Sequence, residues 1–163
     1  METKRNKFTC ELVTIWTKKP FAQVTKEIET MFQHYDLSTL AKLSAEGDTA
    51  GLAEFAKKTG APTEYAIFFQ LDQGSTMRPA GIPIESRFYL LGNPVIAQGL
   101  FRYCGASGLD APVRFCVSQR DGEDTRIDID LPSSFFSQFP ELRESTVPAR
   151  LDGMITLLEK AAA

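Results

Sequence analysis

Apolar and polar positions alternate over residues 9–17, and that period of two predicts a strand. Directly after Pro20 the period changes: Phe21, Val24, Ile28, Met31, Phe32 and Tyr35 recur every three or four residues, which places them on one face of a helix. Ser38 and Asp48 are suited to cap further helix across about 38–59, where Leu52, Phe55, Ala56 and Thr59 share a face and Gly60-Ala61-Pro62 ends the run. Residues 64–71 return to extended structure, with Tyr65, Ile67, Phe69 and Leu71 on one side and Ala66, Phe68 and Gln70 on the other. Apolar groups on both sides predict that both faces of this strand are at least partly covered.

The second half carries the sharpest local signal. An apolar strand over about 86–91 runs through Gly92 into Asn93-Pro94, an asparagine N-cap followed by a proline at the first helical position. The helix that follows spreads Ile96, Ala97, Leu100, Phe101, Tyr103 and Cys104 widely around its axis, so it must be largely buried, and Gly105 is placed to stop it. Gly99 in its interior costs about 1 kcal/mol of propensity relative to Ala and points to a close approach by backbone or ligand. Strands over about 112–119 and 125–131 are joined across Asp121-Gly122, a dipeptide fitted to a tight hairpin, with Ile127, Ile129 and Leu131 inward and Asp128 and Asp130 outward. Pro132 to Phe136 reads as irregular or short helical structure, and Val147, Leu151, Met154, Ile155 and Leu158 mark a C-terminal helix over about 147–160. The pattern predicts an α+β fold: one antiparallel-rich sheet of about five strands, with the helices from Pro20 and Pro94 packed on it. The connection over 72–85 holds three glycines or prolines beyond Gly74 and is long for a loop, which makes it either a candidate binding loop or simply a wide crossover.

With 163 residues, 43% of them hydrophobic, the chain has room for one substantial core and is read as one domain over 1–163. A net charge of −3 argues against a nucleic-acid partner, which requires a cationic field to displace phosphate counterions. Lys4, Arg5, Lys7, Lys18 and Lys19 near the first strand, and Asp121, Glu123, Asp124, Asp128 and Asp130 near the hairpin, read as solvated faces. No apolar run has the length of a signal-peptide core or a membrane span, so a cytoplasmic protein without a membrane partner is expected. Cys10, Cys104 and Cys116 are odd in number and far apart, which fits reduced thiols.

Candidate chemistry is sparse. His34 is the sole histidine and sits beside no nucleophile in sequence. Cys104, near a helix C-terminus, meets a dipole that disfavours the thiolate, and Cys116, between Phe115 and Val117, reads as a buried small hydrophobe. Zinc-type spacing is absent, Asp128 and Asp130 read as strand-face charge, and Gly105-Ala106-Ser107-Gly108 lacks the lysine and spacing of a phosphate loop. No metal, cofactor or catalytic residue is expected on these grounds.

The order and spacing of Phe88-Tyr89-Leu90-Leu91-Gly92-Asn93-Pro94, Gly108-Leu109-Asp110-Ala111-Pro112-Val113-Arg114, and a hairpin ending at Asp130-Leu131-Pro132 resemble domain-of-unknown-function family 302. The family pattern has Phe-Gly-Asn-Pro at the strand end, Asp-Leu-Pro at the next strand start and Asn-Asp-Pro after the hairpin; its upstream Ile-Asp-His is matched here by Leu71-Asp72-Gln73. The resemblance covers about 64–136 and extends to about 9–36, leaving 38–59 as a helical insertion and the C-terminal helix unmatched. It implies a compact α+β domain of the type likened to half of the TATA-binding protein, often dimeric. Leu91, Gln73 and Leu131 depart from the pattern, so an imidazole and a carboxylate that the family has are missing here.

Two functional readings follow. In the first, the chain is a non-catalytic binding or regulatory module, expected as a homodimer, with a small polar or anionic ligand held by Asp72, Gln73, Gly92, Asn93 and Asp110 near the helix start. In the second, it is a small enzyme using Asp72 as acid or base beside the Asn93 helix terminus; a buried Asp72 favours the enzyme, a solvent-facing one the module. A dimer built on Phe135, Phe136 and Phe139 is a third reading, and the same rings would equally close the core.

Overall fold

In a computed structural model that describes all of residues 1–163, five strands form one sheet: β1 (Leu12–Thr17), β2 (Ala66–Asp72), β3 (Ile84–Gly92), β4 (Val113–Arg120) and β5 (Thr125–Asp130). Their order is β1-β5-β4-β3-β2, and every neighbouring pair is antiparallel. The helices are α1 (Phe21–Met31), α2 (Leu37–Glu46), α3 (Thr49–Gly60), α4 (Gln73–Met77), α5 (Pro94–Phe101), α6 (Pro132–Phe136), α7 (Val147–Leu151) and α8 (Gly153–Ala162). The fold is thus α+β, as the hydrophobic pattern predicts. None of the helices is long and apolar enough to cross a membrane.

One face of the sheet is buried. Ile127 and Ile129 of β5, Phe115 and Val117 of β4, and Tyr89 and Leu91 of β3 form it, covered by Val24 and Ile28 of α1 and Met154 and Leu158 of α8. Each such side chain contributes about 1.5–3 kcal/mol of transfer free energy. Tyr89 and Phe115 stack with centroids 4.8 Å apart. Phe135 and Phe136 are buried in the same core and Phe139 packs against it, so this phenylalanine cluster closes the core.

The opposite face is more open, and a bulge in β2 turns two apolar side chains onto it. The register shifts between Ile67 and Phe69, leaving Phe68 as the extra residue. Tyr65, Ala66 and Ile67 are buried, whereas Phe69 and Leu71 turn to the open face, 46% and 44% exposed. The expected grouping of Tyr65, Ile67, Phe69 and Leu71, and the cover on both faces, are therefore corrected. Cys116 also lies half-buried on this open face beside the Ser86 hydroxyl, since Phe115 and Val117 take the core positions of β4.

Other boundaries shift for identifiable reasons. β1 begins at Leu12 because the Glu11 carbonyl takes the Leu131 N–H, and the next residue, Pro132, has none to continue the ladder. Helix α1 stops at Met31; residues 33–35 instead bond to β2, with Ile67 N–H to the Gln33 carbonyl at 2.8 Å and Tyr35 N–H to the Ile67 carbonyl at 2.9 Å. Asp36, not Ser38, caps α2, and hydrogen bonds from Ser38 and Thr39 hold its carboxyl down at about 2. Asp48 caps α3 as expected, through the Gly51 N–H. Gly122 takes a φ of +76° in the β4–β5 turn. The C-terminal helix is divided at Asp152, between α7 and α8, where the Asp152 side chain accepts the Ser133 N–H.

Candidate functional site

The residues singled out in the sequence fall into two places. Gly92 pairs with Ala66 and Arg87 pairs with Asp72, so Asp72 and Gln73 lie at one end of the β2–β3 hairpin and Gly92 and Asn93 at the other. At about 3.3 Å per strand residue the two ends are roughly 20 Å apart. Asp72 therefore has no place beside the Asn93 helix terminus. It is only half-buried and caps α4, accepting the Ser75 N–H at 2.8 Å, while the Gln73 side-chain oxygen accepts the Ser86 hydroxyl at 3.2 Å. The segment 72–85 is accordingly not an open loop but α4, a single 3₁₀ turn at Arg78–Ala80 and the early start of β3.

Gly92, Asn93 and the Asp110 segment do meet. A Cβ on Gly92 would stand 3.3 Å from Pro112 Cβ and 3.5 Å from Phe68, so the glycine permits close packing of β3 against the chain entering β4. Asn93 caps α5 through Oδ1, which accepts the Val95 and Ile96 N–H groups at 2.8 and 3.2 Å. Its Nδ2 donates to the Glu64 carbonyl at 2.7 Å, a bond that ties the helix start to the end of the α3 region. Pro94 has no N–H, and the Ala97 N–H bonds to the Asn93 carbonyl. Every first-turn position is thus accounted for, and no backbone donor of α5 is left open to an anion.

The same elements enclose a cavity of about 310 Å³. Its wall includes Phe68, Ala97, Leu100, Phe101, Pro112 and Leu151, and Asn93 and Gln98 are its only polar side chains. The bulge at Phe68 builds one side, and the wide apolar surface of α5 builds another. Gly99 fits Val147 on the adjoining side: a Cβ there would come within 2.6 Å of the Val147 Cγ2, so the close approach is to a side chain. Helix α5 ends at Phe101, earlier than expected, and Gly105 starts a 3₁₀ turn over Gly105–Leu109 instead of acting as a left-handed stop. Phe68, Pro112, Val147 and Leu151 are apolar positions whose local patterns mark their own elements and not a shared wall; the one pointer to a cavity in the sequence is the excess apolar surface of α5.

Asp110 adjoins this wall without lining it. It is 1% exposed, and its Oδ2 has no hydrogen-bond partner. Oδ1 accepts the Arg114 N–H at 3.3 Å and lies 4.0 Å from Arg114 Nε, but that guanidinium is committed to Asp130 at 2.8 Å. Burial pushes the Asp110 carboxyl up to about 7, against the pull of Arg114.

Elsewhere, Glu29 accepts both Arg87 Nη1 at 2.7 Å and the buried Tyr89 hydroxyl at 2.9 Å, and desolvation raises the Tyr89 phenol. His34 is exposed and its Nε2 meets the Gln70 side-chain oxygen at 3.1 Å. All three cysteines are free, and no three His, Cys, Asp or Glu side chains converge as a metal site.

A family model described as "Domain of unknown function DUF302" matches residues 55–158, well over half of the chain. The chain belongs to the DUF302 family. Its matched region begins within α3 and ends in α8, so every wall of the cavity lies inside it. Among solved structures, the crystal structure of an uncharacterized conserved DUF302 protein from Bacillus stearothermophilus is similar, with a TM-score of 0.64 over 93% of this chain and 98% of that one. At 12% identity that likeness shows the fold. No curated protein matches the sequence. Two of the positions where this DUF302 chain departs from the motif pattern serve the fold: Leu91 is fully buried and Gln73 holds Ser86.

Proposed function

We propose that this DUF302 protein is a non-catalytic binding module whose α5 cavity takes a small, largely apolar molecule. The observation that carries the reading is the cavity: about 310 Å³, concave, apolar and fitted with the Gln98 amide to orient a guest, the Asn93 amide being taken up by the helix cap and the Glu64 carbonyl. No titratable side chain lines it, so it offers no group for proton transfer or nucleophilic attack. The ligand expected from the sequence, polar or anionic and held at the helix start, is revised in position because Asn93 already occupies those donors. The neutral fluorophore N-phenyl-1-naphthylamine tests the reading. Wild type is expected to bind it with saturable fluorescence gain, and Ala97→Phe, which projects a ring into the cavity, is expected to weaken binding at least about tenfold while the circular dichroism spectrum stays unchanged. Equal binding by the two proteins defeats the proposal.

The open sheet face supports a second part of the reading, a homodimer. Leu12 and Trp16 on β1 and Phe69 and Leu71 on β2 form exposed apolar strips at its two edges. Between them Arg114 pairs with Asp130 and Arg126 with Asp128, so the centre is neutral. A two-fold axis parallel to the sheet and in front of its open face, along or across the strands, sets apolar strips on apolar strips and a neutral centre on itself. Sedimentation at micromolar concentration is expected to show a dimer for wild type and a monomer for Trp16→Glu/Leu71→Arg. A monomeric wild type across a broad concentration range removes this part.

A further inference from the structure

A second cleft, about 600 Å³, opens on the neighbouring face of α5, between that helix, α3 and the turn at Ala61-Pro62. It shares Asn93, Ile96 and Val147 with the apolar cavity, so the two spaces adjoin along the helix. Helical spacing explains the division. Pro94, Ala97, Gln98 and Phe101 turn toward the cavity, and Val95, Gly99 and Arg102 toward the cleft.

Their characters are opposite. Lys57, Arg102 and Arg150 face the cleft, with Glu64 as the only carboxylate. Arg150 bonds to Glu64 at 2.9 Å, whereas Lys57 and Arg102 form no ion pair anywhere in the chain. Two unpaired cations thus face one cleft of a protein whose net charge is −3. Because the cleft is open to water, an anion entering it keeps much of its hydration and gains Coulomb attraction without the desolvation cost of a buried pair.

We propose that the ligand of this protein is a small amphiphile with an anionic head, its apolar body in the α5 cavity and its head held by Lys57 and Arg102. This rests on the apolar-ligand reading above and adds the chemical class. The neutral cavity wall supplies affinity through buried apolar area, and the exposed cations supply the preference for a negative head.

Octanoate, octanol and octylamine share one chain and differ in head charge, and each is titrated directly by calorimetry. Wild type is expected to bind octanoate about tenfold more tightly than octanol, equivalent to about 1.4 kcal/mol, and octylamine more weakly than either. The octanoate preference is expected to fade as salt is raised. Lys57→Gln/Arg102→Gln, both at exposed positions, is expected to bring octanoate down to octanol while leaving octanol binding unchanged. Equal binding of octanoate and octanol by wild type overturns the anionic head and leaves the apolar reading standing, and so does a preference that survives in the double variant. Binding of neither compound overturns both.

Discussion

Between pH 5 and pH 8 the protein will lose stability, and Asp110→Asn will remove most of that loss. The cause is a buried carboxyl whose folded value, about 7, lies above its ordinary 3.8. Below the lower value the group is protonated in both states and its contribution is fully present. As pH rises, the unfolded chain releases the proton while the fold retains it, so stability falls until about pH 7 and then levels. The whole shift of about three pH units corresponds to a loss on the order of 4 kcal/mol, of which roughly 3 kcal/mol falls between pH 5 and pH 8. Other groups slope the opposite way: Glu27 and Asp36 are held down by hydrogen bonds and lose their contribution only as the solution becomes more acidic than their ordinary values, 4.5 and 3.8. Asp110 therefore dominates the window above pH 5. The asparagine keeps an oxygen for the Arg114 N–H, and Arg114 keeps Asp130. Urea midpoints at pH 5 and pH 8 read the difference. A flat wild-type profile, or an Asn variant as steep as wild type, contradicts the argument.

Much of the fold was legible because its signals are local. Alternation marks the strands, Asp121-Gly122 marks the hairpin, and Asn93-Pro94 marks the start of α5 through the same cap that the structure shows. Where the reading failed, a long-range contact decided. Phe32 and Tyr35 continue the helical spacing of α1, yet the backbone after Met31 bonds to β2, so both side chains reach the core from an extended turn. The bulge at Phe68 inverts the parity of Phe69 and Leu71, and nothing in the alternating run announces it. The candidate site failed more instructively. Asp72 and Asn93 flank consecutive strands, and antiparallel pairing of those strands sends their outer ends to opposite sides of the sheet. The cavity itself comes from segments far apart in sequence, Phe68, α5, Pro112 and Val147, which no hydrophobic period connects.

Gly74→Ala will destabilise the protein by about 2 kcal/mol net, whereas Gly99→Ala will change its stability by less than about 1 kcal/mol. Both glycines lie in helices, and in each an alanine gains about 1 kcal/mol of propensity. They differ in what the new methyl group meets. At Gly74 it would stand 2.6 Å from the Ile84 carbonyl oxygen, 2.8 Å from the Ser86 nitrogen and 3.2 Å from Glu85 Cα. All three are backbone atoms at the start of β3, a strand held by ladders to both β2 and β4, so relief requires moving α4 off the sheet. At Gly99 the short contact, 2.6 Å, is to a methyl of Val147, which a change of rotamer relieves. For a chain of this length the Gly74 change corresponds to a fall of about 4–8 °C in Tm. Thermal melts of the two variants beside wild type separate the cases. If Gly74→Ala melts with wild type, α4 is not seated on β3 as described, and the Asp72 cap that begins it is not fixed in place either.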